Sequence, residues 1–414
     1  MKALQAPENY RDWITKVEKR LALIERHRHG NSSGGDGGSG EVPGTTTMDS
    51  GWHYLGTTGE PPLLGGVKVY SAEGIDWGPG RFRRDGGGCV HLDGLLLAPP
   101  TAQQQPRDED PTPRLFTPMF VLPAGFRPAT RQLFTIMADN TAPPSQIEVL
   151  PTGEVNIVYA SATGGRFLFM SGITFMAEDA MLVEWIPLTL ENGWVDYDDF
   201  TGEPGKHGAP AYYIDGAGDV HFRGVMHGGA GAVTAFQLPA GAYHTDFTYM
   251  LTQGSSGGVS ALARLDVNIV GQVAIAGYAG GGNNDWVTLA GAVISNPGGS
   301  WLGTIVLTNG WTRYDNNWPP PQYVINKYGI LSLRGLAGSG TTAIPTKITN
   351  QAVPLAMAPA YHKGTLVSAQ GPAGSNGAAR LDMLPGGSME FVGYVIGGQP
   401  GWMWVGGRWF VNDR

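Results

Sequence analysis

Apolar and polar residues alternate in short runs through most of this chain, and the runs are cut off by glycine and proline. The stretch Leu262-Ala263-Arg264-Leu265-Asp266-Val267-Asn268-Ile269, followed after Gly271 by Gln272-Val273-Ala274-Ile275, is representative. A two-residue period puts alternate side chains on opposite faces, so the pattern predicts antiparallel strands joined by tight turns. One such unit recurs in fixed register at 84–94, 214–224 and 325–335. Each carries a turn residue (Asp85, Asp215, Asn326), a glycine (Gly88, Gly218, Gly329), alternating apolar positions (Val90/Leu92, Val220/Phe222, Leu331/Leu333) and a closing glycine. Ile147, Leu265 and Leu381 then lie six residues before Gly153, Gly271 and Gly387, and Phe167, Trp286 and Trp402 lie five before Gly172, Gly291 and Gly407. Three landmarks in one order predict three copies of a folding unit. Their spacing of roughly 105 to 135 residues is that of a small domain and too long for a solenoid repeat.

The strand at the third landmark has two distinct faces. One is aliphatic in every copy (Leu168/Met170, Val287/Leu289, Met403/Val405), which suits the core of a two-sheet sandwich. The other begins with an aromatic residue in every copy and adds Phe169 and Trp404 in the first and third. That face needs a cover of its own. A neighbouring subunit on a threefold axis would supply it, making Phe167, Trp286, Trp402 and Trp404 trimerisation residues; closing the end of their own sandwich is the alternative. The copies share further phrases: Gly51-Trp52, Gly193-Trp194 and Gly310-Trp311, each followed by a tyrosine (Tyr54, Tyr197, Tyr314), and Leu122-Pro123-Ala124-Gly125 with Leu238-Pro239-Ala240-Gly241, degraded to Ala352-Val353-Pro354 in the third. The expected β-sandwich modules are 50–187, 188–299 and 300–414.

The N-terminus has a different period. No glycine or proline occurs from Tyr10 to His29, Asn9 is a candidate helix cap, and Ile14, Val17, Leu21 and Ile24 form a heptad seam. β-Branched residues at both seam positions favour trimers. The segment 1–29 is therefore expected to be an attachment segment with a trimerising coiled-coil helix, packing on its own chain being the alternative. Residues 30–49 read as a Gly/Ser/Thr-rich linker. His27 and His29, beside Arg26 and Arg28, suit the negative end of a helix better than a metal.

With 64 Gly and 30 Pro in 414 residues, long helices are excluded over most of the chain, and the expected fold class is mainly β. A net charge of −8 with no basic stripe excludes a nucleic-acid partner, and no apolar run is long enough for membrane insertion. The single Cys89 excludes an internal disulfide; one residue before Val90, it reads as an ordinary strand position rather than a nucleophile. Glu191, Asp196, Asp198 and Asp199 gather around Trp194 and Tyr197, where an acid pair beside a stacking aromatic would suit glycan hydrolysis. The matching stretches around Tyr54 and Tyr314 keep no acid pair, and a calcium loop would need more ligands, so a solvated loop is the reading. No catalytic residue, metal or cofactor is assigned.

The order of helix, Gly/Ser linker, and modules with a Gly-Trp opening, a G-x-V-x-L/F-x-G turn strand, LPAG and a final W-V-x-L-x-G strand resembles the tail fibre and minor tail proteins of tailed bacteriophages, with their β-rich receptor-binding modules. The resemblance implies a virion protein at the tail tip or baseplate, assembled in the host cytoplasm. It implies a homotrimer attached by its N-terminus to other tail proteins, with β modules that meet a host-surface glycan or protein. A spacer or hub without receptor contact, and a surface polysaccharide depolymerase, are the alternatives. The polar, Pro-rich insertion at 99–113 and the divergent third copy depart from strict repetition. Sugars are held by aromatic stacking, so aromatics outside the repeated positions are the receptor-contact candidates: Trp77, Trp301, Trp318, Tyr70 and Tyr243. For Trp301 the alternative is packing where the second and third copies join. Function is expected where the copies disagree.

Overall fold

The computed structural model describes residues 51–414 apart from 71–75, 100–117, 138–144, 160–165, 181–183, 203–204, 232, 257–258, 278–284, 298, 317, 339, 341–345, 371–375, 397–400 and 412–414. The heptad positions Ile14, Val17, Leu21 and Ile24, His27 and His29, the 30–49 linker and most of the 99–113 insertion lie outside the described residues. The unit concerned is Met48–Arg414. Its regular structure is almost entirely antiparallel strand. No described helix is long and apolar enough to cross a membrane.

The first copy contributes β1 (His53–Tyr54), β2 (Lys68–Val69), β3 (Arg81–Arg84), β4 (Cys89–Asp93), β5 (Leu95–Ala98), β6 (Pro118–Val121), β7 (Gln132–Ile136), β8 (Ser145–Val149), β9 (Glu154–Tyr159), β10 (Arg166–Phe169) and β11 (Thr174–Met176). The second contributes β12 (Ile186–Pro187), β13 (Trp194–Asp196), the short helix α1 (Tyr197–Thr201), β14 (Ala211–Ile214), β15 (Val220–Arg223), β16 (Val225–Gly228), β17 (Thr234–Gln237), β18 (Thr248–Ser256), β19 (Val259–Val267), β20 (Gln272–Ala276), β21 (Trp286–Thr288) and β22 (Val293–Ile294). The third contributes β23 (Gly303–Thr304), β24 (Thr312–Arg313), β25 (Gln322–Ile325), β26 (Ile330–Arg334), β27 (Leu336–Gly338), β28 (Thr346–Thr349), β29 (Lys363–Gln370), β30 (Asn376–Met383), β31 (Met389–Ile396), β32 (Trp402–Trp404) and β33 (Gly407–Phe410).

Strand for strand, the three have one topology. The second copy pairs a four-stranded sheet β12-β14-β15-β22 with a seven-stranded sheet β13-β16-β21-β18-β19-β20-β17; the third has β23-β25-β26-β33 and β24-β27-β32-β29-β30-β31-β28. In the first copy the small sheet is β1-β3-β4-β11, and the large one is split into β2-β5-β10 and β7-β8-β9-β6. A hydrogen bond from Phe169 N to Met137 O, 3.2 Å, crosses the split. A hydrophobic core lies within each copy; in the first, Phe82, Val90 and Leu92 of the small sheet share it with Phe120, Phe134 and Ile147 of the large one. The aliphatic faces read from the sequence supply Leu168 and Met170, Val287 and Leu289, and Met403 and Val405 to the three cores. Each large side chain so buried contributes about 1.5–3 kcal/mol.

One equivalence differs from the sequence reading. Trp194 and Trp311 lead β13 and β24, and their backbone N–H groups close turns onto Glu191 O and Thr308 O. The residue that does this in the first copy is Val67, whose N–H bonds Leu64 O ahead of β2. Trp52 instead precedes β1, the counterpart of β12, and β12 begins at Ile186, ahead of the expected opening at 188. A dipeptide without a periodic neighbourhood does not determine its own register, whereas a hairpin does.

The aromatic faces receive their cover from inside the chain. Trp286 packs with Leu133 of the first copy, and Thr288 Oγ1 donates to Leu133 O at 3.3 Å. Trp402 stacks on Tyr249 of the second copy at 5.5 Å, with Trp404 edge-on to the same ring. Phe169 packs in a cluster that Leu366 of the third copy joins, and Phe167 packs on the same cluster edge-on to Tyr70 of its own copy. The second copy thus leans on the first, the third on the second and the first on the third, closing a ring. Among the residues expected to trimerise, Trp286, Trp402 and Trp404 make their contacts with another copy of the same chain, whereas Phe167 meets Tyr70 of its own copy and it is Phe169 that reaches the third copy.

Candidate functional site where the three copies meet

The hairpins β3–β4, β14–β15 and β25–β26 use their repeated turn residue identically. Asp85 Oδ1 accepts from Gly87 N and Cys89 N, Asp215 Oδ1 from Ala217 N and Asp219 N, and Asn326 Oδ1 from Tyr328 N and Ile330 N, all at 2.7–3.0 Å. The tips converge on Tyr328: a Cβ added at Gly86 would lie 3.2 Å from its ring, and one at Gly216 would lie 2.5 Å from its hydroxyl. Convergence buries a polar cluster. His91 bonds Asp85 at 2.8 Å and His221 bonds Asp215 at 3.1 Å, but the third copy has Ser332 at the histidine position. Arg408, paired with Ser332 across β26 and β33, reaches instead to Asp219 at 2.5 Å.

Two chemistries are suggested by this cluster. Cys89 Sγ lies 3.9 Å from His221 Nδ1, whose other nitrogen meets Asp215, the connectivity of a nucleophile relay. The thiol is fully buried and also meets the Tyr213 hydroxyl at 2.7 Å. Burial, reinforced by the charge of Asp85, pushes it well above its ordinary value, so it stays protonated. Asp215, Asp219 and His221 also bring ligand atoms within 4.8 Å of one another. Their acceptors are already occupied, Asp219 by Asn296 N, Asn326 Nδ2 and the Arg408 guanidinium. Arg408 supplies the positive charge a cation would bring, and the donor set fits a closed polar core rather than a metal.

The residue before the closing glycine is charged in every copy but changes sign: Asp93, Arg223, Arg334. Asp93 receives Arg81 Nη2 at 2.7 Å, Ser171 Oγ at 2.6 Å and Lys363 Nζ from the third copy. Arg334 lies over Trp301 at 4.4 Å and contacts Gln322, Asp246 and His244. Arg223 lies over Trp185 at 4.4 Å. Sequence reasoning passed over these positions, although a repeated site with inverted charge was legible there.

His244 shows what such a junction does to titration. It is buried, with Arg334 Nη1 3.3 Å from its Nδ1, and burial followed by the arginine charge lowers its value from 6.5 to about 3. The unfolded chain then binds the proton more tightly than the folded one. Stability should therefore fall as pH drops from about 6.5 toward 3, and His244→Gln should flatten that part of the curve, measured by urea unfolding across the range.

The structure places three of the receptor-contact candidates, Trp77, Trp318 and Trp301, where copies meet, and Tyr70 and Tyr243 within their own copies. Trp77 and Trp318 occupy equivalent positions, four residues before β3 and β25, with His207 as their counterpart. Trp77 is 8% exposed and stacks on His362 of the third copy at 4.0 Å; Trp318 is half-buried against Phe247 of the second at 4.6 Å. His207 packs likewise toward Arg131 of the first, 3.4 Å away. Trp301 packs against both Arg334 and His244 where the second and third copies join. Tyr70 meets Phe167 edge-on, and Tyr243 packs on the second core. The acid cluster is divided: Asp196 caps α1, accepting from Asp198 N at 3.0 Å, while Asp198 is buried and bonded to His207 Nδ1 at 2.5 Å. No family model, curated protein or solved structure matches this chain.

Proposed function

We propose that this chain is a tail-fibre or minor tail protein of a tailed bacteriophage, a binding protein rather than an enzyme. In this reading the N-terminal segment attaches to the tail tip or baseplate, and the β copies present a compact head to host-surface glycan. The observation that supports it best is the closed ring. Aromatic residues of the recurring strand, with the ion pairs of Asp93 to Lys363 and Arg334 to Asp246, hold the copies together, which yields a stiff scaffold whose differing surfaces are free to diversify. Such a ring gains little length from its three copies, which disfavours an extended spacer. The acids that would have supported hydrolysis serve as a helix cap and a buried pair. Chains joined through the Ile14, Val17, Leu21 and Ile24 seam would bring several heads to one surface, where weak contacts multiply.

The full-length protein, fluorescently labelled, should bind saturably to cells or purified cell-wall glycans from a panel of bacteria without shortening the glycan. Glycan shortening would favour the depolymerase. Absence of both binding and shortening would favour a hub that never touches the host.

A further inference from the structure

We propose that the cleft between the first and second copies binds the carboxylate or phosphate group of an acidic sugar, with Arg223 as the anion-holding residue. Asp93, Arg223 and Arg334 occupy one repeat position. Asp93 has two cations and Arg334 has Asp246 and Gln322, whereas the Arg223 guanidinium has no hydrogen bond and no ion pair among the described residues. Its Nε is buried without an acceptor, and its one ring contact is the cation–π stack on Trp185. A half-buried guanidinium without a counter-charge is costly, and burial lowers its basicity with no carboxylate to offset the effect.

The surroundings suit a small oxyanion. Arg223 lines a cleft of about 150 Å³ together with Trp185, Tyr213 and His221 of the second copy and Thr130 and Glu178 of the first. At about 30 Å³ per water, that volume admits a carboxylate or phosphate with part of a sugar ring, not a whole oligosaccharide. The Tyr213 hydroxyl and His221 are committed to Cys89 and Asp215, so they act as walls. Trp185 is held edge-on by Tyr213 at 4.7 Å, which fixes the plane on which the guanidinium rests. Arg223 is left as the group with unused donors, and a guanidinium presents them in the fork that carboxylate and phosphate accept. Glu178, exposed on the rim, forms no ion pair with it.

The test titrates the full-length protein with sodium glucuronate, inorganic phosphate and glucose at constant ionic strength, followed by calorimetry and tryptophan fluorescence. Saturable binding of glucuronate or phosphate but not glucose is expected, and whichever of the two binds more tightly identifies the anion's source. Arg223→Gln should weaken it roughly tenfold or more, the loss expected for a charge-assisted hydrogen-bonding group. Glu178→Gln should tighten it about two- to threefold by removing a nearby like charge. If Arg223→Gln fails to fold, the Glu178→Gln result decides alone. Unchanged affinity in either variant, equal binding of glucose, or no saturable binding at millimolar concentration overturns the proposal. The inference rests on the glycan-binding reading only for the source of its anion. Cell-wall binding that survives Arg223→Gln would keep that reading and remove this site, and glucuronate binding without cell-wall binding would do the reverse.

Discussion

Replacing Asp93 with asparagine is expected to destabilise the folded chain by about 3–5 kcal/mol, the cost of breaking a buried ion pair from one side. Asp93 is 6% exposed, and the cations it neutralises, Arg81 and Lys363, are almost fully buried. Lys363 comes from the third copy, so the carboxylate holds the ring closed as well as balancing charge. An amide would take the Asp93 charge away from both cations in a medium that solvates them poorly. Burial works against the Asp93 charge, but Lys363 and Arg81 outweigh it and hold the carboxyl well below the usual carboxylate range. For an acid with a lowered folded value, the stabilisation is fully present above the unfolded value, about 4, and is lost as pH falls through the folded one. Urea unfolding at neutral pH should show the full loss for Asp93→Asn, and below pH 4 the gap between variant and parent should narrow. A gap that stays constant into acid would assign the loss to packing instead of charge.

The second large effect is expected at the closing glycine of the repeat. Gly94, Gly224 and Gly335 have φ of 95°, 96° and 125°, in the region that L side chains avoid. A Cβ at Gly94 would stand 2.1 Å from Pro79 O, one at Gly224 2.6 Å from Pro210 Cα, and one at Gly335 2.4 Å from Pro321 Cα. The backbone segment leading into β3, β14 or β25 crosses directly over the glycine at the end of the next strand. Alanine there should cost about 1–2 kcal/mol for the backbone conformation and about 1–3 more for the displaced backbone. Gly218 is the internal control, because its φ of 90° carries the conformational cost while nothing lies within 4 Å of an added Cβ. Gly94→Ala should therefore lower the urea midpoint clearly more than Gly218→Ala. Equal losses would leave only the conformational cost and remove the crossing as the reason this glycine recurs.

Legibility in the sequence followed the range of the physics. The aliphatic faces at Leu168, Val287 and Met403 could be read because alternation along one strand already separates its two sides. The turn residues Asp85, Asp215 and Asn326 could be read because each binds backbone groups two and four residues away. The Gly-Trp openings misled because that pair recurs without a period to hold its register. Arg223 escaped notice because an unpaired charge is a property of its surroundings: Asp93, at the same repeat position, is fully compensated.

By itself, then, the sequence determined the mainly β class, the threefold repeat, the inward face of the recurring strands and the need for a second cover on the aromatic face. These are consequences of a two-residue period and of local backbone geometry, which act within a hairpin. Only the tertiary structure decided what supplies that cover. Trp286, Trp402 and Phe169 would satisfy an aromatic contact equally well against another chain or against another copy. The choice turned on closure: each copy's aromatic strand meets the preceding copy's large sheet, so a threefold contact expected of three chains is completed within one.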